Sequence, residues 1–94
     1  MDDIIIGKVG DLATYDSFGG MVACKVIAIA PQHTTSFGFI ERPITIKITD
    51  RSNPAYHPGE TLTVEGSRVY PRRAWQRSRR GPSYIIVHNF TWEG

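Results

Sequence analysis

The stretch that most limits how this chain can fold is residues 44–50, ITIKITD, where Ile44, Ile46 and Ile48 fall on one side of an extended backbone and Thr45, Lys47 and Thr49 on the other. A period of two is the pattern of a strand with one face in a core and one in water. Proline and glycine close it in on both sides. Pro31 and Pro43 precede it, and Pro58-Gly59 follows, suited to the central positions of a type II turn because proline fixes φ and glycine accepts a positive one. A half-buried strand needs a sheet to belong to, and the other segments supply it.

Ile4, Ile5 and Ile6 are β-branched and Gly7 and Gly10 would interrupt a helix, so residues 3–9 read as a first strand, with 11–15 continuing after a turn at Gly10. Asp16-Ser17-Phe18-Gly19-Gly20 is hairpin-loop chemistry. Residues 21–30, MVACKVIAIA, are apolar with weak alternation between Gly-Gly and Pro31, which predicts a long central strand buried on both faces. Residues 31–43 form a connecting loop whose Phe37, Phe39 and Ile40 either plug the end of a barrel or make a binding surface. Residues 61–65 alternate again, with Leu62 and Val64 inward. Pro71 lacks an N–H, which places the next short element at a sheet edge or in a 3₁₀ turn. Residues 74–80 have room for one helical turn before Gly81-Pro82, and 84–92 form a last strand with Tyr84, Ile86, His88, Phe90 and Trp92 on one face.

Short strands, tight turns and no long helix predict an all-β fold: a small antiparallel barrel of five to six strands, since closure removes exposed edges. Ninety-four residues make one domain. Within it, the barrel spans about 4–72, an Arg-rich loop 73–83 and an additional C-terminal strand 84–92.

Two sets of residues carry a resemblance. Gly10-Asp11-Leu12-Ala13, Gly19-Gly20-Met21-Val22 and Lys25 to Ile29 look like the opening of SH3-like barrels of the KOW and Tudor type, with a Gly-Asp start and a glycine before the second strand. Pro58-Gly59-Glu60 to Val64, then Arg68 to Arg72, resembles the end of such barrels: a strand, a short 3₁₀ turn and a last strand. The resemblance spans roughly 10–72 and departs after Arg72, where an Arg-rich tract and an extra strand follow. The departure implies an extended barrel, or N- and C-terminal strands that pair with each other or with a partner. The chain's overall look also resembles small accessory proteins of bacteriophages and mobile elements, which implies the cytoplasm of the host cell.

Chemistry has few candidates. Cys24 is the single cysteine, so no disulfide can form within the chain, and its apolar strand suits a buried side chain and a reducing, cytoplasmic setting. The start, MDDIII, opens with acids and an apolar run too short for a signal or a span, so no membrane association is expected. His33, His57 and His88 have no ligand spacing, which predicts neither a metal nor a cofactor. A Cys24–His88 thiol–imidazole pair is outweighed by buried packing. Catalysis is the least supported class.

Charge carries more content. Residues 1–65 hold five Lys/Arg against eight Asp/Glu, whereas 66–94 hold six arginines against Glu93. Guanidinium groups pair bidentately with phosphate and stack on bases, and Tyr70 and Trp75 are interleaved among the arginines. This combination predicts a non-catalytic module contacting nucleic acid through Arg72, Arg73, Trp75, Arg77, Arg79 and Arg80. The plainer reading has Trp75 capping the core and some arginines pairing with the chain's own acids. The competing class is a protein-binding or homo-oligomeric assembly module, using Tyr84, Ile86, Phe90 and Trp92 of the last strand for strand addition.

Overall fold

A computed structural model describes residues 4–77, 84–86 and 89–93, apart from the side chains of Arg77, Tyr84 and Ile86. Eleven strands are described: β1 (Ile4–Gly7), β2 (Leu12–Ser17), β3 (Gly20–Ile29), β4 (His33–Thr34), β5 (Ile40–Glu41), β6 (Pro43–Ile48), β7 (Thr61–Glu65), β8 (Val69–Pro71), β9 (Trp75–Arg77), β10 (Tyr84–Ile86) and β11 (Asn89–Trp92). Two 3₁₀ turns, Gly66–Arg68 and Arg72–Ala74, flank β8, and no α-helix occurs among the described residues.

The centre is a five-stranded antiparallel sheet in the order β7-β6-β3-β2-β8. Period-two patterning places Ile44, Ile46 and Ile48 of β6 in the core, as their alternation requires, beside Val22, Cys24 and Val26 of β3 and Val69 of β8. β3 is the long central strand, but its second half is not buried on both faces. The register shifts between Val26 and Ala28, a bulge that leaves Ile27 exposed. The β2–β3 turn is the two-residue loop Phe18-Gly19, held by a 2.6 Å hydrogen bond from the Ser17 hydroxyl to the Gly20 carbonyl. Gly59 adopts φ 90° with the Glu60 N–H bonded to the His57 carbonyl, the turn foreseen at Pro58-Gly59.

Four expectations change. The sheets are open and do not close into a barrel; instead three two-stranded pairings, β1-β11, β4-β5 and β9-β10, surround the central sheet. Nor is the fold wholly antiparallel, because β1 and β11 run parallel, Ile4 opposite Asn89 through Gly7 opposite Trp92. Residues 84–92 do not act as one strand: β10 pairs with β9 and β11 with β1, while Val87 and His88 lie outside the described residues. The segment foreseen as a loop from 73 begins instead as a 3₁₀ turn and β9, because residues 75–77 find a backbone partner in 84–86.

Trp92 joins the terminal pair to the central sheet. Its indole Nε1–H is shared between the carbonyls of Gly66 (3.1 Å) and Val69 (3.0 Å), and its own carbonyl accepts from the Arg42 guanidinium. Gly7 lies so close to the indole that a Cβ there would stand 2.3 Å from the ring, which is why the ladder partner of this tryptophan is a glycine.

The plug reading of residues 31–43 is also corrected. Residues 33–41 form a small hairpin that satisfies its own backbone through Thr35 and Phe39, and Phe37 is 86% exposed, with Phe39 and Ile40 also in water.

Candidate nucleic-acid interface

The arginines separate once the backbone is in place. Arg68 ends the first 3₁₀ turn and lays its guanidinium over the ring of Phe18, 4.3 Å from the centroid, where Phe18 is 96% exposed at the β2–β3 tip. Arg72 is exposed in the second 3₁₀ turn. Arg73, next in the same turn, donates to the Ile6 carbonyl at 3.1 Å and to the Asp11 carboxylate at 3.3 Å, so part of its fork is engaged within the chain. Trp75 opens β9 half-buried, Arg77 closes it opposite Tyr84, and Arg79 and Arg80 lie outside the described residues.

The residues foreseen for a partner on the last strand are mostly committed elsewhere. Trp92, expected on a partner surface, is buried, with its ring bonded to two carbonyls of its own chain and packed in the core. Phe90 is half-buried and meets Tyr70 edge-on at 5.3 Å and Trp92 at 6.3 Å. Tyr84 and Ile86 place their backbone in β10 against β9.

Strand register assembles a basic row that the linear sequence does not display. Pro71, Ala13, Cys24 and Ile48 align across β8, β2, β3 and β6, all facing the core. One position along, Leu12 pairs with Lys25, Lys25 with Lys47 and Lys47 with Thr61, all on the outer face and all exposed. Arg72 follows Pro71 and stands at the β8 end of this row, where it lines an open pocket with Gly10, Asp11, Leu12 and Arg73. Among the described residues Lys25, Lys47 and Arg72 have no ion pair. Arg72 does reach Asp50 electrostatically. The Asp50 carboxyl is held below its ordinary range first by the side chain and then by the backbone N–H of Ser52, with the Arg72 charge adding to them.

Lys25 and Lys47 are direct cross-strand neighbours, whose Cβ atoms in such pairs lie about 4.5–5.5 Å apart and whose like charges repel. Lys47 was legible as a residue of the solvated face of its strand. Its juxtaposition with Lys25 was not, because the register between two strands separated by residues 30–42 is not written locally.

Cys24 is fully buried, and burial pushes its thiol up to about 12 against the opposing effect of a backbone hydrogen bond at Tyr15. At neutral pH it is an uncharged packing group. No cluster of three or more His, Cys, Asp or Glu side chains that could hold a metal occurs among the described residues, and no helix there is long and apolar enough to cross a membrane. No family model, curated protein or solved structure matches the chain.

Proposed function

We propose that this chain is a non-catalytic binding module that contacts nucleic acid through the outer face of its central sheet. The observation that carries the reading is the Lys25–Lys47 pair. Two like charges directly opposite each other on an exposed sheet face cost stability, and a polyanion laid across them removes that cost. Arg72 extends the row toward β8, and Arg68 with Phe18 supplies a cation and an exposed aromatic face at the far end of the same strand edge. The order of β7, a 3₁₀ turn and β8, with β8 returning beside β2, is the order the SH3-like resemblance implies for its closing segment, within sheets that stay open.

Binding of a fluorescent single-stranded or duplex oligonucleotide, followed by anisotropy at increasing salt, tests the proposal. The dependence on salt should be steep, and changing Lys25, Lys47 and Arg72 together to Ala should lower the log–log slope by roughly 2–3. A wild-type protein that fails to bind either probe at low salt overturns the reading.

A further inference from the structure

The central sheet has two outer strands, β7 and β8, and the hydrogen-bond pattern fixes what β7 offers. The Ile48 N–H bonds the Glu60 carbonyl and the Gly66 N–H bonds the Arg42 carbonyl, so these two pairs are of the hydrogen-bonded kind. Such pairs alternate along an antiparallel ladder, which assigns the N–H and C=O groups of Leu62 and Val64 to β6. Those of Thr61, Thr63 and Glu65 therefore point away from the sheet. None of the three has a backbone partner among the described residues. The strand also lacks the usual guards of an open edge: it carries no proline, no lysine and no bulge.

We propose that β7 is a self-docking edge, joining two copies of this chain about a two-fold axis through Thr63. In that register Thr63 faces Thr63 of the second copy, and Thr61 faces Glu65. All three outward residues then exchange both backbone hydrogen bonds, six across the junction. Leu62 lies opposite Val64 of the second copy on the core side, where both are only half-buried in one chain. The charges fit as well. The Glu65 carboxylates sit at opposite ends, about 13 Å apart along the strand direction, each held at 3.3 Å by the Arg42 N–H of its own chain. Shifting the register to bring Glu65 against Glu65 places like charges together and shortens the overlap. The product is one continuous ten-stranded sheet with the basic rows of both copies on its outer face. The inference stands on backbone geometry and does not depend on nucleic-acid binding.

A five-residue junction buries less than the ~1,200 Å² of a standard interface, so the dimer is weak and concentration-dependent. Sedimentation of the nucleic-acid-free protein between roughly 10 µM and 1 mM should show the average mass climbing from one chain toward two. Thr63→Pro removes an outward N–H without touching the β6 ladder, and Thr63→Lys places two cations face to face. Each should weaken association at least about tenfold. Circular dichroism checks that the variants fold; should Thr63→Pro not fold, Thr63→Lys, which keeps every backbone group, decides. A wild-type protein that stays at one chain throughout, variants that dimerise as the wild type does, or a mass growing beyond two chains each overturn the proposal.

Discussion

The two edges of the central sheet are built on opposite principles. β8 is three residues long, is bounded by a 3₁₀ turn on each side and ends in Pro71, and its Val69 carbonyl is taken by the Trp92 indole. β7 is five residues, two of them aliphatic and two threonine, with three residues directed outward and no backbone hydrogen bond to those three among the described residues. The strands β1 and β11 pair with each other, and Trp92 ties them to the carbonyls of Gly66 and Val69 at the 3₁₀ turn between β7 and β8. The difference teaches that β11, part of a segment that exceeds what a compact five-stranded sheet needs, holds the β8 side through the Trp92 indole on the Val69 carbonyl. That assigns β11 a structural role through Trp92.

The comparison is broken most severely at Trp92. Trp92→Ala removes the largest side chain joining the terminal pair to the sheet, leaves a cavity against Val69 and strips a donor from the Gly66 and Val69 carbonyls. Deletions of buried aromatic side chains cost about 3–5 kcal/mol, a large part of what a domain this size has to lose. Urea unfolding should show the midpoint collapse or the fold disappear. A loss under about 1 kcal/mol would mean that β8 is not held by this tryptophan.

Gly66→Ala comes next. A Cβ on Gly66 would stand 2.8 Å from the Arg42 carbonyl oxygen and 2.9 Å from Ile44 Cδ1, and neither a paired backbone group nor a fully buried side chain can yield freely. Overpacking of this kind costs about 1–3 kcal/mol. Gly19→Ala is the control, since a Cβ there meets open space and the residue has no positive φ. Its effect on the same urea midpoint should stay within about 0.5 kcal/mol. Equal losses at the two glycines would show that the joint between β7 and β8 is not the tight point between the edges.

How far the sequence revealed these regions follows from which interactions are local. The inward Ile44, Ile46 and Ile48 were legible because a strand with one wet face writes its period into consecutive residues, and the turn at Gly59 because its φ demands a particular residue type. The destination of residues 84–92 was legible only as one alternative, N- and C-terminal strands pairing with each other, and for residues 89–92 that is the one found. Alternation says that Trp92 and Phe90 share a face, but a parallel partner more than eighty residues away in β1 leaves no local trace. Phe37, Phe39 and Ile40 were expected most readily as a plug because apolar side chains usually find cover; here the hairpin closes on its own backbone bonds and leaves them outside. The candidate interface divides in the same way. The arginine cluster could be counted along the chain, whereas the Lys25–Lys47 contact exists only in the register between β3 and β6.

The smallest effect is expected at Arg73. Its bonds to Asp11 and Ile6 tie the turn after β8 to the start of the chain, yet the guanidinium is more than half exposed, and solvent-screened pairs of this kind contribute about 0–1 kcal/mol. Arg73→Ala should therefore shift the urea midpoint barely, and less still at high salt. Arg72 has no such tether, so Arg72→Ala should leave stability within about 0.5 kcal/mol. The two substitutions then separate support from contact. With Arg73 partly neutralised by Asp11, its removal should reduce the salt dependence of oligonucleotide binding less than removal of Arg72 does. If Arg73→Ala is instead the more damaging to binding while stability is unchanged, the Asp11 pair opens to release the guanidinium. The contact surface then runs along β8 toward β1, and the β8 edge, not the outer row through Lys25 and Lys47, is the side that meets the polyanion.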